Sequence, residues 1–261
     1  MKLNMLGVSV GNTRTRIGAF VNGELQECAT FRNDRKDDAL GEAVEHAFGS
    51  IRDRQDAAVL MASVNRPAGE QVERLLIERL GVTVRRVERD LPIPIGRQVD
   101  DDSKVGEDRL LNAAAAYDIL KQACVVVDAG TAITVDFVDG QGTFHGGAIA
   151  AGAQLQLDAL HQRTDLLPDV EIAKPLENIG HNTTEAMRVG VYHGLRGMVR
   201  ELVEQYAEIA GAYPMVVVTG GDGNLLFRDY ELVDRIVPNL TMMGLYTTLR
   251  VATEQQSKAD N

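Results

Sequence analysis

The sequence predicts an α/β chain built from two related halves, each a mixed β-sheet with flanking helices. Three observations point there. Strand-like and helix-like segments alternate along the 261 residues with no low-complexity linker. Two hairpin signals, Asn22-Gly23 and Asp139-Gly140, each stand between runs of alternating hydrophobicity. The segment Val8-Ser9-Val10-Gly11-Asn12-Thr13 also returns as Val127-Asp128-Ala129-Gly130-Thr131-Ala132, with Asp128 lying 119 positions after Ser9 (128 − 9). At that offset Gly11 falls on Gly130 and Thr15 on Thr134. A period this long is not a solenoid's and marks a duplicated half.

In the first half, residues 3–10, 15–21 and 24–31 read as three strands. Leu40, Ala43, Val44 and Phe48 recur at helical spacing within 36–52. The apolar run 57–63 reads as a central strand, 67–80 as a helix and 82–87 as a strand. Residues 91–105 read as a loop, with Pro92, Pro94 and the acidic run Asp100-Asp101-Asp102. A helix rich in Ala and Leu covers 107–122; its run Ala113–Ala116 suits close helix packing. The second half repeats the plan, with strands at 124–128, 133–138 and 142–149 and helices at 152–163 and 182–210. A strand over 214–219 ends in Gly220-Gly221-Asp222-Gly223, and a last helix covers 240–252. The halves divide as 1–118 and 119–255, and the polar tail 256–261 is expected to fray.

The net charge of −11 disfavours general nucleic-acid binding, because an acidic surface repels a phosphodiester backbone. A small anion in a pocket of backbone amides remains compatible with it. Cys28 and Cys124 lie in apolar, strand-like contexts without CxxC spacing, so neither a metal site nor a disulfide framework is indicated. Two buried thiols suit a reducing cytosol. The N-terminus lacks signal-peptide character and no stretch is apolar enough to span a membrane, so a cytoplasmic protein with no membrane partner is expected.

The repeated turns carry specific chemistry. A glycine after a strand lets backbone amides approach phosphate oxygens closely. Thr and Asn add hydrogen-bonding groups, and an Asp at a strand end can hold a cation or its water. Either turn alone would pass for a plain hairpin. Two at matching places imply a pair of phosphate-binding hairpins, one per half.

At these residues the chain resembles the type III pantothenate kinases of the acetate-kinase/sugar-kinase/actin superfamily, over nearly its whole length. The family's first phosphate motif, D-x-G-N-T, matches Ser9-Val10-Gly11-Asn12-Thr13 except at its first position. The motif G-x-D-R matches Gly106-Glu107-Asp108-Arg109, with Asn112 following. The second phosphate motif, D-x-G-T-A, matches Asp128–Ala132 in full. Gly146-Gly147-Ala148-Ile149 with Gly152, Leu167-Pro168, Gly180-His181-Asn182-Thr183 and Thr219-Gly220-Gly221-Asp222 match further positions.

The resemblance implies duplicated ribonuclease H-like (actin-like ATPase) domains, each with a mixed five-stranded sheet. It implies ATP-dependent phosphorylation of pantothenate, the first step towards coenzyme A. Asp108 would be the general base for the primary hydroxyl, and Arg109 would pair with the substrate carboxylate. Gly106 and Glu107 would lend backbone contacts, and Val99 and Thr183 would contact substrate. Ser9, Val10, Gly11, Asn12, Thr13, Arg14, Thr15 and Arg16 would line the ATP phosphates, with Thr131 from the second half. Mg²⁺ would accompany ATP, and Asp128 would bind a monovalent cation, K⁺ or NH₄⁺. Family members are homodimers, which makes 182–210 a candidate dimer element. Taken without the resemblance, Asp108 and Arg109 read equally as a helix N-terminal charge and a surface ion pair, and Thr183 as an N-cap.

Two departures stand out. Ser9 replaces an acid that would help hold Mg²⁺, and Asp222 is a candidate substitute. Val99 stands where the family carries a Tyr, seven residues before Gly106. Two alternatives follow: a catalytically impaired nucleotide-binding homologue with an accessory role, and a kinase for another small hydroxy acid.

Overall fold

The structure is a computed structural model that describes residues 2–34, 38–54, 57–100 and 104–259. The chain forms two compact units. The first comprises Met1–Ile95, Asp102–Asp118 and Asn239–Asn261; the second comprises Gly96–Asp101 and Ile119–Pro238.

The first unit holds a five-stranded sheet in the order β3-β2-β1-β4-β5. Its strands are β1 (Met5–Val10), β2 (Arg14–Val21), β3 (Glu24–Arg32), β4 (Ala58–Ser63) and β5 (Val84–Arg86). β1 is antiparallel to β2 and parallel to β4, so the sheet is mixed. Asn22 and Gly23 both adopt positive φ, 51° and 83°, as a tight two-residue hairpin turn requires. Helices α1 (Ala39–Gly49) and α2 (Arg66–Leu80) supply Val44, Phe48, Val72 and Leu76 to a core with Leu6, Val8 and Met61. Two further helices complete this unit: α3 (Glu107–Leu120) and α7 (Leu240–Ala259), the latter packed on β1, β2 and β4. Ala113–Ala116 are all buried in α3. Gly244 of α7 crosses the backbone of Leu111 so closely that a Cβ there would overlap the Leu111 carbonyl.

The second unit holds a six-stranded sheet in the order β11-β10-β7-β8-β9-β6. Its strands are β6 (Gly96–Arg97), β7 (Cys124–Ala129), β8 (Ala132–Val138), β9 (Thr143–Ala151), β10 (Met215–Thr219) and β11 (Arg235–Ile236). Read as β9-β8-β7-β10-β11, five of these repeat the order of the first sheet; β6 adds a sixth strand where five are expected. It forms inside the segment read as loop, because Gly96 and Arg97 pair with Thr143 and Phe144 on the free edge of β9. Helices α4 (Ala153–Arg163), α5 (Thr183–Ala210) and the short α6 (Gly223–Phe227) cover the core of Val125, Val127, Val191, Val199 and Val216.

The last helix, placed by chain order with the second half, belongs by its contacts to the first unit. It also runs on to Ala259, through most of the stretch expected to fray. Of the acidic run before α3, Asp101 and Asp102 lie outside the described residues, as do the first residues of the expected helix 36–52 and the last two of the tail. No helix among the described residues is long and apolar enough to cross a membrane.

Candidate active site

β1 and β7 are equivalent in detail. Each has six residues, and in each only the fifth, Ser9 or Asp128, is not fully buried. The position that carries the strand-end acid in one unit therefore carries a hydroxyl in the other. The turns after them differ by one residue. Val10 pairs with Thr15, whereas Ala129 pairs with Ile133. By register Ile133 is thus the counterpart of Thr15, and Thr134 that of Arg16, one place away from the alignment by constant offset.

In the first turn, the Gly11 N–H donates to the Arg14 carbonyl at 2.9 Å. Asn33, just beyond β3, spans the turn. Its backbone N–H donates to the Thr13 carbonyl at 2.9 Å, and its side-chain amide donates to the carbonyls of Gly11 and Asn12. Its Oδ1 accepts from Thr15 Oγ1 at 2.8 Å. Val10 and Thr15 are 1% and 2% exposed, so only their backbones can face a ligand. Asn12, Thr13 and Arg14 are exposed, and Arg16 lies directly opposite Ser9.

In the second turn, Gly152 takes the place of Asn33: its N–H donates to the Thr131 carbonyl at 3.0 Å. A Cβ at Gly152 would overlap the carbonyls of Gly130 and Thr131. Gly220 approaches from β10 with φ +92°, and a Cβ there would overlap the Ala129 carbonyl and come within 2.5 Å of Asp128 Oδ1. The Asp222 N–H then donates to the Ala129 carbonyl at 2.9 Å, which fixes the Gly-Gly-Asp turn against the hairpin. Thr131 is exposed. Asp222, the suggested substitute for an acid at Ser9, belongs to the second unit, and Ser9 to the first.

Asp108 and its neighbours form the first turn of α3. Gly106 precedes the helix, and a Cβ on it would lie 2.6 Å from Asp108 Oδ1, so glycine leaves room for that carboxylate. Asp108 Oδ1 accepts from the Arg109 N–H at 2.8 Å. Burial pushes the Asp108 carboxyl above its ordinary range, against the opposing pull of the Arg109 amide and guanidinium. A carboxylate held this way is a better proton acceptor than an exposed one. Glu107 is also raised by burial, and its Oε2 accepts from the Ser63 N–H at the end of β4 at 2.7 Å.

Val99 sits over the edge of β9: the Gln98 N–H donates to the Phe144 carbonyl at 2.9 Å, and Val99 Cγ1 lies 3.8 Å from the Cβ position of Gly146. Thr183 is the first residue of α5, not its cap. Asn182 is the N-cap, its Oδ1 accepting from the Glu185 N–H at 2.9 Å, which leaves the exposed Thr183 hydroxyl outside the capping bond. Among the described residues no three His, Cys, Asp or Glu side chains converge as a metal cage. Both cysteines are free; the buried Cys124 thiol is pushed up to about 12, an inert core group.

Asn33 and Asn65 belong to none of the sequence motifs, though Asn33 lies 119 positions before Gly152 (152 − 33), the repeat offset.

The family model described as type III pantothenate kinase matches residues 5–205, more than half of the chain. The chain belongs to the type III pantothenate kinase family. A type III pantothenate kinase from Dehalococcoides mccartyi strain CBDB1 is 34% identical over 247 residues, covering 92% of this chain and 93% of that one. Solved structures agree on the fold. The activator of the 2-hydroxyisocaproyl-CoA dehydratase from Clostridium difficile superposes with TM-score 0.56 at 15% identity, covering 98% of each chain. MreB5 of Spiroplasma citri superposes with TM-score 0.51 at 12% identity, covering 99% of each. The likeness is one of fold: this chain shares the duplicated actin-like ATPase architecture with these structures. Gly106-Glu107-Asp108-Arg109 falls at the start of α3, and Asp128-Ala129-Gly130-Thr131-Ala132 spans the β7–β8 turn.

Proposed function

We propose that this pantothenate kinase family member transfers the γ-phosphoryl group of ATP to the primary hydroxyl of pantothenate, with Asp108 as the base. Family membership supports the reaction class. The single observation that supports the role of Asp108 is its placement: a half-buried carboxyl, raised by desolvation, at a glycine-preceded helix start. In phosphoryl transfer, positioning and electrostatics dominate, and the base orients the nucleophile. Arg109 is the proposed partner of the pantothenate carboxylate, which its planar fork suits. Gly106 and Glu107 through their backbones, with Val99 and Thr183, are proposed further substrate contacts.

Ser9 through Arg16 are the proposed contacts of the ATP phosphates in the first unit, Val10 and Thr15 through backbone alone, and Thr131 is the one in the second. Mg²⁺ bound with ATP would neutralise charge on the phosphates. Asp128, with its carboxylate closely covered by Gly220, is the proposed holder of a monovalent cation, K⁺ or NH₄⁺. A homodimer is proposed from the apolar side chains that the second unit leaves exposed: Ile149, Leu155, Leu160, Leu166, Leu176 and Ile179. Reduced turnover, with the protein acting as an accessory nucleotide binder, is the second reading, and Ser9 is what favours it.

The test is an ATP-dependent assay on pantothenate with Mg²⁺ and K⁺, with Asp108→Asn in parallel. Turnover in the wild type that is lost in the variant supports the kinase; equal rates in the two reject the role of Asp108. Light scattering of the full chain reads the dimer.

A further inference from the structure

We propose that Glu107 is a positioning residue: its carboxylate locks the first turn of α3, and with it Asp108, to the end of β4 and onward to the Gly11–Thr13 turn. The inference rests on the reading of Asp108 as the base. Glu107 and Ser63 are 44 positions apart, yet the Ser63 N–H meets Glu107 Oε2 at 2.7 Å, the length of a charge-assisted bond. Ser63 is the last residue of β4 and the register partner of Val10 in β1. Its hydroxyl donates onward to the Asn65 carbonyl at 2.8 Å. Gly69 leaves space for that hydroxyl, since a Cβ there would overlap Ser63 Oγ.

Asn65 then works in two directions. Its Oδ1 accepts from the Ala68 N–H at 3.2 Å and caps α2, and its amide donates to the Asn12 carbonyl at 3.3 Å. Asn33 holds the same carbonyl from the other strand. A continuous run of polar contacts therefore joins the residue beside Asp108 to the turn beside Ser9, all within the first unit. Burial works against a carboxylate at Glu107, and the Ser63 amide is the hydrogen bond that opposes it, helped by the charge of Arg86. A glutamate serving only as a first-turn acid would favour the helix N-terminus from a solvated position and would need no such partner.

Glu107→Ala and Glu107→Gln distinguish these roles. A displacement of about 1 Å in a positioned group lowers turnover by roughly 100-fold, so Glu107→Ala should lower kcat by about 10- to 100-fold while KM for pantothenate moves by less than about threefold. Glutamine keeps an acceptor oxygen and should retain at least about a third of kcat. Amide hydrogen exchange at Ser63, which needs no turnover, should accelerate in Glu107→Ala and stay slow in Glu107→Gln. Wild-type kcat in Glu107→Ala, unchanged protection of Ser63 there, or a glutamine variant as damaged as the alanine one would each overturn the proposal. Should the wild type fail to turn over pantothenate, the kinase reading falls, and the Ser63 exchange measurement still decides the lock.

Discussion

Asp108 is the side chain whose chemistry and stability pull in opposite directions. Its folded pKa lies above the unfolded one because burial penalises the charge. The sign follows: its contribution to folding is fully present below the unfolded pKa and is lost as pH rises through the folded pKa. Asp108→Asn removes the charge and keeps an acceptor for the Arg109 amide, so thermal melting at neutral pH should shift upward while kcat falls by about 10²- to 10⁴-fold. A lower melting temperature would refute the burial argument. The same shift predicts that wild-type kcat rises with pH through a midpoint above the ordinary carboxylate range. Ser9 is the complementary case. It faces Arg16 directly across the β1–β2 pair, so an acid there would have a cation beside it. Ser9→Asp should therefore fold normally, lower the Mg²⁺ concentration needed for half-maximal rate, and raise kcat by about tenfold or more, roughly 1.4 kcal/mol of barrier. A Mg²⁺ titration with no change would show that this chain does not need the missing acid.

The hairpins are legible because turn chemistry is local, although the one expected at Asp139-Gly140 is a longer loop whose left-handed residue is Gly142. Asn22-Gly23 needs two positive φ values and obtains them, and Gly11 and Gly130 each close a turn by donating to a carbonyl two or three residues on. The three-residue and four-residue turns could not be told apart from a constant offset, which is why Thr15 aligned with Thr134 instead of Ile133. β6, α6 and β11 escaped notice for another reason: each has five residues or fewer, and the strands exist only through partners distant in sequence. The Glu107–Ser63 bond is equally non-local and left no pattern to read. Close backbone approaches behave the same way. Gly220 has φ +92° and no space for a Cβ beside the Ala129 carbonyl. Gly220→Ala should then destabilise the protein by about 1–3 kcal/mol and, by pushing on Asp128, weaken any dependence of the rate on K⁺. Chemical denaturation reads the first effect and a K⁺ titration the second. An alanine variant as stable as wild type would mean that the turn relaxes freely.

The first unit is discontinuous in sequence, and this sets how the molecule can be cut. α7 returns from the far end of the chain to close it. Several contacts fasten α7 along α3: Thr241 Oγ1 donates to Asn112 Oδ1 at 2.8 Å, Gly244 sits on the Leu111 backbone, Thr247 Oγ1 donates to Asp118 Oδ2 at 3.3 Å, and Arg250 forms a two-pronged pair with Asp118 at 2.8 and 2.9 Å. Asn112 lies one turn beyond Asp108, so the helix that carries the proposed base is held by the last helix of the chain. Leu240, Met242, Leu245 and Leu249 are all buried. At about 1.5–3 kcal/mol for each such side chain, α7 contributes roughly 6–12 kcal/mol of burial, comparable with the whole stability of a domain at about 5–15 kcal/mol. A chain ending at residue 118 should therefore show no cooperative unfolding transition. The paired contacts run parallel, Asn112 with Thr241 and Asp118 with Arg250, so residue 239 lies about 16 Å back along α7 from the residue beside Asp118, and a flexible Gly/Ser linker of about 16 residues, with an end-to-end reach of roughly 20–24 Å, can join 118 to 239. That rejoined chain should regain a single cooperative transition in circular dichroism. Two-state melting of residues 1–118 alone would show that the sheet closes without α7, and failure of the rejoined chain would show that the first unit needs the second in order to fold.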